Sequence, residues 1–186
     1  MFYGIYKQER DVMEAAVKTG LGIPKHINAV IIALLVLCSL PAVFLLLRPG
    51  MANQIDLVLH LARFSEFNRA IEDGQLPPLW APNFDAGYGN PTFIFYSPLF
   101  FFSAQIPRLL GFSYLACIKM LVILSMVLSG ISMYIFTREF WGKAGAFLSA
   151  IAYVYAPYHL MDVYARGAFT ENIAFVWFPL ILWLHL

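Results

Sequence analysis

The feature that most constrains the fold is a run without charged side chains from Ile27 to Leu47. At a helical rise of about 1.5 Å per residue, this run is long enough to cross the roughly 30 Å hydrocarbon core of a bilayer. It ends in Leu46-Leu47-Arg48-Pro49 rather than in the small residues of a signal-peptide cleavage site, so we interpret it as a retained first span. Basic residues precede it, which predicts a cytoplasmic N-terminal segment over residues 1–26.

The composition extends this prediction to the whole chain. Hydrophobic residues make up 61% of the sequence and charged residues 12%, against roughly 45–50% and 25% in typical soluble domains. Lipid must therefore cover much of the surface. These figures exclude disorder, a coiled coil and a disulfide scaffold, and the net charge of +1 offers no basic face for nucleic acid. Cys38 and Cys117 lie inside apolar runs and are interpreted as packing residues. The composition predicts an all-α, polytopic transmembrane helical bundle.

Polar and apolar segments alternate along the transmembrane module, residues 27–186. We predict spans over residues 27–47, 113–137, 144–160 and 173–186. The last apolar segment is too short to cross, so the chain looks like a fragment of a longer protein. Residues 48–112 form an outer loop, with a surface helix over Asn53–Asp73 that Gly74–Pro78 ends. A second outer loop covers residues 159–172.

The distribution of charge decides between two topologies. If residues 92–111 cross the membrane fully, the turn Arg138–Lys143 lies outside and the loop 159–172 inside. If residues 92–111 instead form a proline-broken hairpin that dips into the outer leaflet, the basic turn joins the N-terminal segment inside. The positive-inside rule favours the second topology, which places the loops 48–112 and 159–172 on the same outer face.

The first candidate cluster is Asp56, His60 and Arg63. Their spacing of i, i+4 and i+7 places them on one face of a helix. A carboxylate, an imidazole and a guanidinium at a membrane surface are suited to deprotonating a hydroxyl and holding a phosphate. The structural alternative is that Asn53 caps the helix with Asp56 at its third position, while His60 and Arg63 face water.

The second candidate cluster lies in the loop 159–172 and contains His159, Asp162, Arg166 and Glu171. Here too a structural explanation stands beside the functional one. Glu171 with Thr170 as the cap would stabilise a helix N-terminus. Arg166 would reach the lipid headgroups as an anchor. The preferred topology brings both clusters to one face, so we predict that Asp56, His60, Arg166 and Glu171 face a common outer-leaflet cavity.

Several uncommon motifs, in their order, resemble a bacterial membrane protein family labelled "6-pyruvoyl-tetrahydropterin synthase-related". The likeness covers about residues 50 to 186. The motifs are His60-Leu61-Ala62-Arg63, Asp73-Gly74-Gln75-Leu76-Pro77, Trp80-Ala81-Pro82, Gly87-Tyr88-Gly89-Asn90-Pro91, Phe95-Tyr96-Ser97-Pro98-Leu99, Met133-Tyr134, Ala156-Pro157-Tyr158-His159-Leu160 and Arg166-Gly167-Ala168 with Glu171. The soluble pterin enzyme is a small α+β protein with a histidine zinc site, and nothing in this chain supplies that fold or ligand set.

The organisation resembles the N-terminal module of GT-C integral membrane glycosyltransferases. Those enzymes take a sugar from a polyprenyl-linked donor outside the cytoplasm. The resemblance implies an inner-membrane enzyme in which Asp56 and Glu171 match the acidic positions of the first and second outer loops. Asp56 would then be the general base, and Arg166 with His60 and Arg63 would bind the donor phosphate. GT-C enzymes carry a paired acidic motif where this chain has only Asp56, which leaves the use of a divalent metal open.

Two other functions fit the same residues. The basic side chains would also serve a non-catalytic component, such as a lipid-linked precursor transporter or an assembly subunit, that binds a lipid phosphate without chemistry. The chain would alternatively be an inactive truncated fragment. The sequence identifies neither the sugar, the acceptor nor any protein partner.

Overall fold

The computed structural model describes residues 29–51 and 54–186. Their regular elements are all helical, and an isolated bridge between Ala81 and Asn90 is the sole extended pairing among them. The all-α prediction is therefore confirmed for the described residues. Residues 33–186 form one compact unit, which carries both candidate clusters. The predicted segment 1–26 and the predicted cap Asn53 lie outside the described residues.

Helix α1 runs over Ala29–Val43, contains Pro41, and continues as a 3₁₀ turn over Phe44–Leu47. Two tyrosines from distant parts of the chain donate hydrogen bonds to its carbonyls. The Tyr155 hydroxyl donates to Cys38 O at 2.7 Å, and the Tyr164 hydroxyl donates to Ala42 O. Ala42 O belongs to the last turn of α1, where carbonyls lack partners within the helix. Both bonds attach α1 to the rest of the bundle.

Helix α2 covers Leu57–Glu72, α3 covers Thr92–Phe95 and α4 covers Pro98–Leu109. The surface helix predicted over Asn53–Asp73 therefore begins later, at Leu57, and Asp56 occupies its N-cap position. The proline-broken character expected of residues 92–111 is present, because Tyr96 and Ser97 separate the two short helices and Pro98 begins the second one. A cluster of buried aromatic rings joins α2 to α3 and α4: Phe64, Phe67, Phe93, Phe100 and Phe101.

Helix α5, Tyr114–Val154, is folded back on itself at Gly142, whose φ of 62° and ψ of −169° are not helical. A Cβ on Gly130 would lie 2.9 Å from Val154 Cγ2, so the two arms of α5 pack against each other in opposite directions. The turn expected at residues 138–143 is thus confined to Gly142. The second arm ends at Val154 rather than near residue 160, because Pro157 begins a separate helix.

The C-terminal part of the chain consists of three consecutive elements. Helix α6 covers Pro157–Met161, a π-helical turn (the π-turn) covers Asp162–Arg166, and α7 covers Phe169–Leu184. Helix α7 packs along α5, where the Ser125 hydroxyl donates to the Asn172 side-chain oxygen and the Tyr153 hydroxyl donates to Phe175 O at 3.0 Å. These bonds fix the position of α7 along α5, and with it the position of the π-turn that precedes α7.

Among the described residues, two helical stretches are long and apolar enough to cross a membrane, Ala29–Leu47 and Tyr114–Arg166, and α7 is apolar but shorter. Large apolar side chains on all three are exposed. They include Leu37, Phe44, Leu47, Leu124, Leu148, Phe178 and Leu182. Extended apolar surface of this kind is unusual on a water-soluble monomer. Length, composition and exposure therefore support membrane association.

Candidate functional site

The two polar loops predicted to share a face meet at one end of the bundle. The Asp56 backbone N–H donates to Arg166 O at 2.9 Å, and the Ile55 N–H donates to Ala165 O at 3.2 Å. The Gln54 side-chain amide donates to Val163 O at 2.6 Å. Three hydrogen bonds thus join the segment before α2 to the π-turn, and they bring Asp56 next to Arg166 as the sequence predicted.

Arg166 is held by acidic side chains from two elements. Its Nη1 lies 2.6 Å from Asp162 Oδ1 and 3.0 Å from Glu171 Oε2, and its Nη2 lies 3.2 Å from Glu171 Oε1. The Tyr158 hydroxyl accepts a further bond from Nη1 at 2.9 Å. Bidentate pairing of this kind is strong and fixes orientation. The guanidinium predicted to bind a phosphate is therefore already engaged by two carboxylates.

Asp162 belongs to the second candidate cluster, but the sequence assigned it no role in the predicted site. Its side chain is 0% exposed, and Oδ2 has no hydrogen-bond partner within the described residues. A buried carboxylate is costly unless it is paired, and Arg166 supplies that pair. The spacing of i, i+4 was a usable signal for the ion pair, but burial cannot be read from spacing.

Glu171 lies in the first turn of α7, where the helix dipole favours a negative charge. The structural alternative for this region was wrong in one respect. Helix α7 begins at Phe169 with Ala168 at the N-cap, so Thr170 lies inside the helix and does not cap it. The Thr170 hydroxyl instead lies 3.5 Å from the Tyr96 hydroxyl, which links α7 to the segment before α4.

The Asp56 carboxylate makes no capping bond to α2 although the residue occupies the N-cap position. Asp at this position ordinarily accepts a hydrogen bond from a backbone N–H of the first turn. The alternative interpretation, with Asp56 at the third position of a helix capped by Asn53, is wrong because the helix begins at Leu57. The half-buried carboxylate remains available to a partner outside the helix.

His60 is enclosed rather than open to a cavity. It is 1% exposed, and its ring centroid lies 5.2 Å from that of Phe169, 6.0 Å from that of Tyr96 and 6.2 Å from that of Phe100. Burial, followed by the nearby Arg63 charge, lowers the pKa of His60 to about 4 despite the opposing effect of Asp56. The imidazole is therefore neutral near pH 7, and the prediction that it faces a common cavity is wrong.

Arg63 differs from Arg166 because it pairs with no carboxylate among the described residues. Its guanidinium carbon lies 4.1 Å above the centre of the Tyr96 ring, a cation–π contact that orients the group without neutralising it. Arg63 and Asp56 both act electrostatically on His60, so the three residues of the first cluster lie close together. Its charge is available for an anionic ligand.

A cavity of about 410 Å³ lies between α4, α5 and α7. It is lined by Leu99, Ser103, Ile106, Pro107, Met120, Leu121, Leu124, Ser125, Leu128, Ile173, Val176 and Trp177. None of the five predicted site residues lines it, so this cavity is not the one that the sequence predicts for Asp56, His60, Arg166 and Glu171. On α7, the lining residue Ile173 follows Glu171 by two positions.

Within the described ranges, no group of three or more His, Cys, Asp or Glu side chains is arranged to hold a metal ion. His159 is buried, and its ring centroid lies 4.4 Å from that of Phe175 with the two rings tilted by 31°. Comparison of the chain with protein-family models, with curated proteins and with solved structures finds no match. The site is therefore interpreted from its own geometry.

Proposed function

We propose that this chain is the N-terminal module of a multi-pass membrane glycosyltransferase of the GT-C type, which transfers a sugar from a polyprenyl-phosphate donor at the outer face of a bacterial inner membrane. The observation that carries the proposal is the junction of Asp56 with the π-turn. There, a carboxylate that makes no capping bond to α2 lies beside a second acidic loop, at one end of an apolar bundle.

In this reaction Asp56 accepts the proton of the acceptor hydroxyl as that oxygen attacks the anomeric carbon. The bond between the anomeric carbon and the phosphate oxygen breaks, and the polyprenyl phosphate leaves with the bonding electrons. Arg63 is the cation best placed to stabilise the leaving phosphate, because its charge is not shared with a carboxylate of residues 29–51 or 54–186. Arg166 contacts the phosphate only by giving up a bond to Asp162 or Glu171.

The proposed topology follows the same geometry. The N-terminal segment and the Gly142 turn lie on the cytoplasmic side, and the loops around Asp56 and the π-turn lie on the outer side. The apolar cavity beside Ile173 is suited to part of a prenyl chain, since apolar lining and a volume of several hundred Å³ are typical of ligand sites.

The decisive variant is Asp56→Asn in the full-length protein, assayed for sugar transfer from a polyprenyl-phosphate donor. Removing a general base costs roughly 10²–10⁴-fold in rate, and we expect a loss in that range. Asp73→Asn is the matched control, because Asp73 is an exposed carboxylate at the opposite end of α2 and its loss should leave transfer unchanged. Normal transfer by Asp56→Asn would remove the proposed mechanism.

The non-catalytic alternative uses the same Arg63 and the same cavity, which suit lipid-phosphate binding with or without chemistry. Binding of a polyprenyl-phosphate sugar that Arg63→Gln weakens, with no turnover in wild type, would favour a transporter or an assembly subunit. Turnover that depends on Asp56 would favour the transferase.

A further inference from the structure

The π-turn Asp162–Arg166 presents backbone carbonyls to the segment that carries Asp56. Val163 O, Ala165 O and Arg166 O accept hydrogen bonds from Gln54, Ile55 and Asp56, in that order along both segments. π-Helical turns are rare and occur frequently at functional sites. These three hydrogen bonds between the π-turn and residues 54–56 therefore determine where residues 54–56 lie.

The conformation of the turn is itself fixed at both ends. Asp162 O accepts from the N–H groups of both Gly167 and Ala168, at 2.8 and 2.9 Å. At the far end, the Arg166 side chain reaches back one turn to the fully buried Asp162 carboxylate. Asp162 thus holds the turn through its backbone and its side chain together.

Gly167 allows the close approach of the two segments. Its φ of 75° is in the left-handed region, and a Cβ there would lie 3.1 Å from Gln54 Cβ and 3.4 Å from Leu57 N. A side chain at this position would be strained and would press on the segment that leads into α2. The close packing of the two segments therefore requires a residue without a side chain at position 167.

We propose that Asp162 is a positioning residue, which acts through Arg166 to hold the π-turn in the shape that orients the Asp56 carboxylate. This inference rests on the proposed function for the role of Asp56, but the coupling of Asp162 to residues 54–56 is measurable without any reaction. Arg166 is then principally a structural link between Asp162 and Glu171.

The test combines backbone hydrogen exchange with initial-rate kinetics on the full-length protein. In Asp162→Asn we expect exchange of a peptide covering residues 54–57 to rise about tenfold, because its amides lose fixed acceptors. We expect kcat to fall about tenfold with KM unchanged, since a misplaced base weakens the transition state and not substrate binding. Glu66→Gln is the matched control, because Glu66 is a buried carboxylate on α2 that holds Asn83 instead.

Two further variants keep the test decisive. Gly167→Ala should raise the same exchange by steric pressure alone, and it carries the test if Asp162→Asn does not fold. Adding Arg166→Gln to Asp162→Asn should bring little further change if Asp162 acts through Arg166, and additive effects would overturn that route.

The possible results separate this inference from the proposed function. Unchanged exchange at residues 54–57 in folded Asp162→Asn would overturn the positioning role. Raised exchange with unchanged kcat would also overturn it. Raised exchange in a protein whose wild type transfers no sugar would support the coupling and refute the transferase.

Discussion

His60 illustrates how surroundings decide the charge of a side chain at this site. The unfolded chain binds a proton at this residue near pH 6.5, whereas burial holds the pKa in the folded state at about 4. Between pH 6.5 and pH 4, His60 is protonated in the unfolded chain but not in the folded chain. The free energy of unfolding is therefore highest above pH 6.5 and decreases as the pH falls toward 4. From these two pKa values, the loss between pH 7.5 and pH 5 is about 2 kcal/mol.

This loss is measurable as the free energy of unfolding of the detergent-solubilised protein at the two pH values. In His60→Phe, which keeps an aromatic ring among Tyr96, Phe100 and Phe169, we expect the pH-dependent loss to be smaller by about 2 kcal/mol. His185→Gln serves as the control because His185 is exposed. An equal pH dependence in wild type and His60→Phe would contradict the buried, neutral assignment.

For single residues, the sequence predicted which side chains lie at the site better than it predicted how deeply each one is buried. The two polar loops lie together, because the Asp56 backbone bonds to Arg166 and the Arg166 side chain pairs with Glu171, whereas a cavity common to these side chains stays a prediction. The burial of His60 and Asp162 was not predictable, since it depends on aromatic side chains and a backbone turn that are distant in sequence. Asp56 lies at the N-cap position of α2 because the helix begins at Leu57. This was not predictable, since helix boundaries are the least certain part of a sequence-based prediction.

At the scale of elements, Gly142 determines that α5 folds back. Its φ and ψ fall in a region that is open almost only to glycine. No atom lies within 4 Å of a Cβ at this position, so a substitution acts through backbone strain alone. We expect Gly142→Ala to lower the free energy of unfolding by about 1–3 kcal/mol, measured by denaturant unfolding in detergent.

Lys143→Ala is the control for Gly142→Ala, since Lys143 is an exposed neighbour with a helical backbone. Equal stability of the Gly142 variant and wild type would contradict a requirement for this conformation. The sequence located this turn to within a few residues because basic and aromatic residues interrupt the apolar run there. The packed face of the second arm is formed by Ala146, Ala150 and Val154, which are buried.

At the scale of the whole molecule, the topology separates two ends of the bundle. Hydrogen bonds gather residues 54–56 and the π-turn at one end, and Gly142 marks the reversal of α5. In the proposed topology, the first end faces outward and the second faces the cytoplasm. Single cysteines at exposed positions test this directly, after Cys38 and Cys117 are replaced. Asp162 itself is unsuitable for labelling because its side chain is buried.

We expect Ile55→Cys, at a side chain that is 81% exposed, and Met161→Cys to react with a membrane-impermeant thiol reagent in intact cells. Lys143→Cys, at the Gly142 turn, should react only after the membrane is permeabilised.

Labelling of all three variants from outside would contradict a span between these positions. Labelling of both Lys143→Cys and Ile55→Cys from outside, with Met161→Cys protected, would indicate that residues 92–111 cross the membrane. Because the hydrogen bonds between Asp56 and Arg166 keep residue 55 with the π-turn, protection of Met161→Cys should be accompanied by protection of Ile55→Cys. Opposite behaviour of these two positions would show that the junction on which the proposed active site depends does not exist in the membrane.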